Sequence, residues 1–275
     1  MSKLTRTDLL SMLLYGIDRA MRPAIDQPFK DDIYWRGYRS QHRGQLKSME
    51  NAGLIETRGG GSGEAWAVRL TGAGHLRAIG GRDAQERWNR AWDGQWNLLM
   101  FDLHLAPGRL RQKLFRWLRS NHFGCLQQSV WITPDLVGGE LDGILRDLGE
   151  LADSVLTLRS EIASAHGKHN RPSQIAAQTW DFTRINQGYQ DYLDFAGDGP
   201  PPQITPARAR TWVTTEQRLW LAAVSKDPLL PAVALPADYL GQSAWRQRER
   251  LLENATPLHL ALEESPTEAQ GQLSR

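Results

Sequence analysis

Cysteine is nearly absent from this chain, since Cys125 is the only one among 275 residues. A single cysteine excludes an internal disulfide and a zinc site built from cysteines. No apolar run approaches the roughly 20 residues that a membrane-spanning helix needs. The opening residues MSKLTRTDLL also lack the apolar core and small-residue cleavage site of a secretory signal. We therefore expect a cytoplasmic protein.

Signatures of catalysis are equally scarce. The glycines at 59–63 are not followed by Lys-Ser/Thr, which excludes a phosphate-binding P-loop. The chain has no nucleophile elbow, no zincin motif and no Cys/His pairing at useful spacing. Cys125 follows Gly124 in a strand-like run, so we predict that it is buried rather than reactive. These absences predict a protein that is not an enzyme and that uses neither a cofactor nor a metal.

Length and charge indicate how the chain is divided. A chain of 275 residues fits two or three modules better than one. Residues 1–90 carry 15 basic and 10 acidic residues, a net charge of +5. The remaining 185 residues carry 18 and 21, a net charge of −3. A basic first third is the asymmetry expected of a nucleic-acid-binding region.

The first 80 residues predict a winged helix-turn-helix. A first helix has an apolar face made of Leu9, Leu10, Leu13, Leu14 and Ile17. A short second element lies around 29–35, and a third helix runs over about 38–51 and ends before Gly53. Two short strands at 54–57 and 65–70 flank a glycine-rich loop, which predicts a hairpin. Thr71 then caps a further helix.

Basic side chains form a stripe on the third predicted helix. At 100° per residue, Arg36, Arg39, Arg43 and Lys47 fall within about 80° of one another. A neighbouring apolar stripe contains Trp35, Tyr38, Leu46 and Met49. One side of such a helix docks on the core while the other contacts base edges and phosphates. We predict a DNA-binding set made of Arg36, Arg39, Ser40, Arg43 and Lys47, with Arg58 and Gly60 in the following loop. The alternatives are a solvated helix face and a plain flexible turn.

The rest of the chain predicts a mixed module followed by helices. Strands at 97–104, 124–127, 129–133 and 155–159 alternate with helices at 108–121 and 139–151. This βαββαβ order is that of the ferredoxin-like fold. Helices follow at about 174–196, 204–225 and 242–254. The predicted class is α+β, with a winged helix-turn-helix domain at 1–80, a linker at 81–95, a ferredoxin-like domain at 96–164, a helical domain at 165–262 and a flexible tail at 263–275.

Several segments, in order, resemble the PaaX family of transcriptional repressors. In the middle module they are Trp92-Asp93-Gly94-Gln95-Trp96, Phe101-Asp102, Phe123-Gly124-Cys125-Leu126 and Ser129-Val130-Trp131-Ile132-Thr133-Pro134. Towards the end they are Asp227-Pro228-Leu229-Leu230-Pro231, then 235–241 and Ala244. The chain departs from the family pattern at Tyr239-Leu240, where Trp-Pro is expected, and this departure makes transfer of a ligand pocket unsafe.

The resemblance implies a homodimeric repressor of a catabolic operon that an acyl-CoA effector releases from its DNA operator. The predicted helix at 108–121 carries Arg109, Arg111, Lys113, Arg116 and Arg119 around an apolar stripe. Arg109, Lys113 and Arg116 are our candidates for binding the phosphates of such an effector. A second stretch of DNA and a solvated face are the alternatives.

The middle domain of this family is similar to the small CRISPR-associated spacer-acquisition nuclease, which raises a second hypothesis. In that nuclease, a carboxylate at the end of the first strand binds a divalent metal, and Asp102 occupies the matching place. Metal-dependent hydrolysis usually needs several oxygen ligands, and no Asp/Glu cluster surrounds Asp102 in the sequence. A structural Asp102 is therefore favoured. A third hypothesis is a winged helix that binds another protein.

Overall fold

A computed structural model describes residues 5–17, 33–34, 39–58, 67–102, 107–137, 139–162, 164–165, 168–169, 171–197, 199–201 and 206–253. The predicted tail at 263–275 lies outside these residues. Helices and antiparallel sheets are both present, so the fold class is α+β, as predicted. None of the described helices has the length and apolarity to cross a membrane.

The helices are α1 (Arg6–Ile17), α2 (Arg39–Asn51), α3 (Gly72–Ala78), α4 (Ala84–Asn89), α5 (Gly108–Ser120), α6 (Gly139–Leu148), α7 (Pro172–Thr179), α8 (Phe182–Ala196), α9 (Pro206–Val224) and α10 (Gly241–Glu253). The strands are β1 (Ile33–Tyr34), β2 (Ile55–Arg58), β3 (Ala67–Leu70), β4 (Trp96–Phe101), β5 (Gly124–Gln127), β6 (Val130–Thr133), β7 (Val155–Ser160), β8 (Ser164–Ala165) and β9 (Lys168–His169). Two short 3-10 helices cover Gly149–Ser154 and Ala232–Ala234.

The chain forms two compact units, and each is assembled from separate segments. The first contains residues 1–83, 188–225 and 241–275, and the second contains 84–187 and 226–240. The first unit therefore combines the N-terminal region with α9, α10 and most of α8. Neither unit is therefore a single continuous stretch of the chain.

The core of the first unit begins with α1, whose residues 9–15 are all buried. This burial confirms the predicted apolar face for Leu9, Leu10, Leu13 and Leu14. α1 packs against β3, α3 and α9, and Tyr15 makes an edge contact with Trp212 at 6.0 Å between ring centroids. The small sheet of this unit has the order β1-β3-β2, and all its pairs are antiparallel.

The second unit contains a four-stranded antiparallel sheet in the order β5-β6-β4-β7. Along the chain its elements are β4, α5, β5, β6, α6 and β7. A buried apolar cluster fills the space between sheet and helices: Leu99, Phe101, Leu114, Leu118, Phe123, Trp131 and Leu141. The first strand ends at Phe101, three residues earlier than predicted, and the predicted helix at 139–151 gives way to the 3-10 helix at Gly149.

One sequence-based expectation about secondary structure is wrong, and the predicted linker contains a helix. The helix predicted over 174–196 is divided into α7 and α8 at Trp180, whose backbone is extended (φ −112°, ψ 145°). Asp181 starts the new helix, because its side chain accepts a hydrogen bond from the backbone N–H of Arg184 at 3.0 Å. Within the segment expected to be a linker, residues 84–89 form α4, which buries Ala84 and Trp88.

Candidate nucleic-acid interface

Helix α2 has one buried side and one exposed side. Leu46 and Met49 are buried, as the apolar stripe predicted, whereas Lys47 is exposed. Burial of Leu46 and Met49 determines which side of the helix faces away from the core. Lys47 is thus free to contact a partner from the exposed side of α2.

The other predicted DNA-contacting residues are described only in part. Arg39, Ser40 and Arg43 lie on α2, but their side chains are outside the described residues. Arg58 is the last residue of β2, and its side chain is likewise outside them. Arg36 and Gly60 are not among the described residues at all.

The C-terminal end of α2 is held in a defined turn. Gly53 has φ +67°, the left-handed conformation that favours glycine. Its N–H donates to the carbonyl of Glu50 at 2.8 Å, and the N–H of Leu54 donates to the carbonyl of Met49 at 2.9 Å. These two bonds form a Schellman motif, which ends the helix and directs the chain into β2.

The hairpin that follows is joined to α2 and across its own strands. The hydroxyl of Thr57 on β2 donates to the Glu50 carboxylate on α2 at 2.5 Å. Across the strands, Arg69 donates from Nε to Glu56 at 2.8 Å. These contacts hold β2 beside the end of α2 and join β2 to β3.

Thr71 connects the end of α2 with the start of α3. Its hydroxyl donates to the carbonyl of Gly53 at 2.6 Å and accepts from the N–H of Gly74 at 3.0 Å. Its own N–H donates to the carbonyl of Leu54 at 3.0 Å. Gly74 lies so close to that turn that a Cβ there would be 1.8 Å from the Leu54 oxygen. We call Gly53, Leu54, Thr71 and Gly74 the Thr71 clasp.

Side chains from α9 hold the C-terminal end of α3. The amide of Gln217 donates to the carbonyl of Ala78, and the indole of Trp220 donates to the carbonyl of Ile79 at 3.1 Å. Carbonyls at a helix end have no partner within the helix, so these bonds satisfy groups that burial would otherwise penalise.

A buried ion pair lies next to these contacts. The carboxylate of Glu216 on α9 is 3.1 Å from Nε of Arg248 on α10, and both side chains are fully buried. Tyr192 on α8 donates to Glu216 at 2.8 Å, and Arg248 donates to Gln217. The Arg248 guanidinium also lies over the Trp220 ring, 4.8 Å from its centroid. This Glu216–Arg248 network joins α8, α9 and α10 beneath the end of α3.

Tyr192 and Tyr15, two buried tyrosines that feel the charge of Glu216, strongly favour the neutral state. Burial raises the pKa of Tyr192 and of Tyr15, and the negative charge of Glu216 raises both pKa values further. In the unfolded chain these phenols ionise near pH 10. Above that pH the unfolded state loses protons that the folded state keeps, so the folded state loses stability as pH rises.

We expect wild-type stability to fall increasingly steeply above pH 10, as the contribution of these two phenols approaches about 2.7 kcal/mol per pH unit. Tyr15→Phe and Tyr192→Phe should each remove about half of that contribution. Urea unfolding at several pH values between 10 and 11.5 measures the slope, and the interval from pH 7 to 9 gives each protein its own baseline. An identical slope in the double Phe variant would contradict the assignment.

On α5, the predicted effector-binding residues are all exposed. Arg109, Lys113 and Arg116 face away from the buried Leu114 and Leu118. Lys113 forms an ion pair with Asp147 of α6. These three cations lie on the exposed side of α5.

Asp102 and Cys125 are the two residues that the sequence raised in connection with metal binding and thiol reactivity. Asp102 follows β4, is exposed, and donates its N–H to the carbonyl of Ser154 at 3.2 Å. Among the described residues, no group of three or more His, Cys, Asp or Glu side chains could hold a metal. Cys125 is exposed, so the prediction that it is buried was wrong. Partial burial still raises the pKa of the Cys125 thiol, which keeps it in its less reactive protonated form.

A charged cluster that the sequence did not indicate includes the first helix of the second unit. Asp135 forms ion pairs with Arg87 and with Arg90, the latter at 3.0 Å. Arg90 also donates to the carbonyl of Leu229 at 2.7 Å, and Asn97 donates to the carbonyl of Asp135 at 2.9 Å. β6 ends at Thr133, and Pro134 and Asp135 follow it. A proline directly after a strand was the sequence signal for a turn at Asp135.

Part of the second unit matches a known protein family. Residues 89–176, all within the second unit, match the family model described as the PaaX protein central Cas2-like domain. The middle of this chain is therefore similar to the PaaX central domain. This match confirms the PaaX resemblance.

A curated PaaX relative and one solved structure extend the comparison. The transcriptional repressor PaaX of Escherichia coli (strain K12) is 26% identical over 178 residues. That alignment covers 62% of this chain and 55% of the repressor, so the chain spans about half the length of this relative. The uncharacterized protein Rv0674 from Mycobacterium tuberculosis is 21% identical, with a TM-score of 0.55 over 95% of this chain and all of that one. The second likeness concerns the fold alone.

Proposed function

We propose that this PaaX-like chain is a sequence-specific DNA-binding transcriptional repressor. The observation that carries the proposal is helix α2, which buries Leu46 and Met49 and leaves Lys47 exposed. The Schellman turn and the Thr71 clasp hold this helix against its hairpin. The similarity to a repressor supports the same function and a protein that is not an enzyme.

The finer architecture belongs to this proposal. We infer that residues 1–80 form a winged helix-turn-helix, with α2 as recognition helix and the loop between β2 and β3 as wing. The strand order β5-β6-β4-β7, with two helices, supports a ferredoxin-like domain in the second unit. The remaining helices form the C-terminal part.

The side chains have distinct roles in this proposal. Arg39 and Arg43 contact base edges, because a guanidinium can donate two hydrogen bonds to guanine. Lys47 neutralises a phosphate, and Arg58 extends the contact along the backbone from the wing. Arg36, Ser40 and Gly60 complete the predicted surface. The specific contacts come from the arginines, and the lysine adds affinity for any sequence.

Single substitutions on α2 test these roles. Arg39→Ala and Arg43→Ala should each weaken operator binding by about 1–3 kcal/mol and relax specificity. Lys47→Ala should weaken operator and unrelated DNA equally, and the slope of log K against log salt should become shallower by about 0.9. Fluorescence anisotropy over a salt series measures both effects.

A matched control for Lys47→Ala is Lys226→Ala. Lys226 is also exposed, but it lies in the second unit. We expect its affinity and salt slope to equal those of wild type. If both arginine variants bind the operator as tightly as wild type, α2 is not the recognition helix. The operator itself comes from genomic footprinting of the purified protein.

The effector and the assembly complete the proposal. We propose that a small acyl-CoA-like molecule releases the repressor and that a homodimer binds DNA, since two-fold operators match two-fold proteins. Footprinting repeated with a panel of acyl-CoAs identifies the effector as the compound that removes protection. The nuclease hypothesis is not favoured, because Asp102 belongs to no metal-binding cluster among the described residues. Absence of DNA binding at low salt would instead favour a protein-binding winged helix.

A further inference from the structure

Helix α5 of the second unit has an unusual charge. Its 13 residues include five basic side chains and no acidic one. All five are exposed: Arg109, Arg111, Lys113, Arg116 and Arg119. Five cations without an acid concentrate positive potential on one helix.

Four of these cations form a continuous stripe. At 100° per residue, Arg109, Lys113 and Arg116 lie within about 60° of one another, and Arg119 lies about 60° further round. With a rise of about 1.5 Å per residue, the stripe extends over roughly 15 Å of the helix axis. Arg111 projects from a different side. We call Arg109, Lys113, Arg116 and Arg119 the α5 stripe.

The described residues neutralise little of this charge. Lys113 pairs with Asp147, and the side chain of Arg119 lies 6.0 Å from the Phe115 ring centroid. Among the described residues, Arg109 and Arg116 form no ion pair. The burial of Leu114 and Leu118, each with no exposed surface, keeps the stripe directed outward. The cations are therefore available to an external polyanion.

The shape of the stripe separates two kinds of anionic ligand. Small-molecule sites are concave and bury about 70–90% of the ligand surface. Exposed side chains that spread over about 120° of a convex helix do not enclose a ligand, but they match an extended row of charges. Each strand of duplex DNA carries one phosphate per 3.4 Å of helix axis, so several phosphates lie within the roughly 15 Å that the stripe covers.

We propose that the α5 stripe is a second DNA-contacting surface, which binds the phosphate backbone outside the winged helix and does not read sequence. This inference rests on the DNA-binding function proposed above. It assigns to DNA the three cations that the sequence suggested for an effector. Because the contacts are to phosphates, they should increase affinity for operator and unrelated DNA alike.

The test compares salt dependence in full-length variants. The triple variant Arg109→Gln/Arg116→Gln/Arg119→Gln should make the slope of log K against log salt shallower by about 2.7, which is 0.9 for each lost phosphate contact. Its ratio of operator to unrelated-DNA affinity should equal that of wild type. Arg116→Gln alone should shift the slope by about 0.9, whereas Arg111→Gln, an exposed arginine on another side of α5, should leave it unchanged.

The outcomes are distinguishable from failure of the repressor function itself. If wild type binds no DNA at low salt, the proposed function fails and this inference with it. If wild type binds but the triple variant keeps the wild-type slope, this inference alone is overturned. Titration with coenzyme A is the second arm, and we expect equal binding, or equal lack of it, in wild type and the triple variant. Coenzyme A binding that the triple variant loses, with the DNA slope unchanged, would make the stripe an effector site.

Discussion

Arg248→Met is expected to lower the free energy of unfolding by about 3–5 kcal/mol, because it leaves the Glu216 carboxylate buried without its cation. Both side chains of this pair are fully buried. The substitution also removes the bond from Arg248 to Gln217 and the contact with Trp220. Urea unfolding followed by tryptophan fluorescence measures the loss.

Two further variants separate the ion pair from general effects of the substitution. Arg246→Met changes an exposed arginine on the same helix and should alter stability by less than about 0.5 kcal/mol. The double variant Glu216→Leu/Arg248→Met should recover part of the loss, since it removes both buried charges together. Recovery is incomplete because Tyr192 and Gln217 lose their partners. Wild-type stability in Arg248→Met alone would show that the pair contributes nothing.

Gly74→Ala is expected to destabilise the first unit by about 3 kcal/mol, at the upper end for overpacking a closed site. The added Cβ would lie 1.8 Å from the backbone oxygen of Leu54. A backbone atom cannot rotate away as a side chain does, so the turn after α2 must move. The Thr71 clasp is then broken, and operator affinity should fall together with thermal stability.

Gly72→Ala is the matched control on the same helix. Gly72 is exposed, begins α3, and has no atom within 4 Å of an added Cβ. Replacing this glycine should leave stability unchanged or raise it by about 0.5–1 kcal/mol, because alanine is the better helix former. Equal melting temperatures for the two variants would contradict the close approach at Gly74.

Elements with a strong local pattern were predictable from the sequence. The apolar spacing of α1 predicted a buried face, and Leu9, Leu10, Leu13 and Leu14 are buried. Gly53 and Thr71 predicted the end of α2 and the start of α3, because the bonds by which each caps its helix join residues close in the chain. Periodicity and capping are local effects, and they are legible in a single sequence.

Features that depend on distant residues were not predictable. The break between α7 and α8 accompanies a bond from the Trp180 indole to the carbonyl of His122, 58 residues earlier. Glu216 and Arg248 lie on different helices, and nothing in either helix marks a buried charge. The same reasoning applies to the candidate site. Local sequence pattern predicted helix α2 and the cations of α5. The Glu216–Arg248 network next to α3 could not be predicted, because its residues come together only in the folded chain.

The segmented first unit has a consequence for synthesis on the ribosome. The carbonyls of Ala78 and Ile79 receive their hydrogen bonds from Gln217 and Trp220, and the pair beneath them needs Arg248. These residues are translated up to about 170 positions after the N-terminal segment ends, a delay of roughly 10–30 seconds at 5–20 residues per second. During this delay the nascent N-terminal segment lacks part of its core. Truncation before α10 should therefore yield a chain that chaperones retain and proteases degrade, even though every predicted DNA-contacting residue is present.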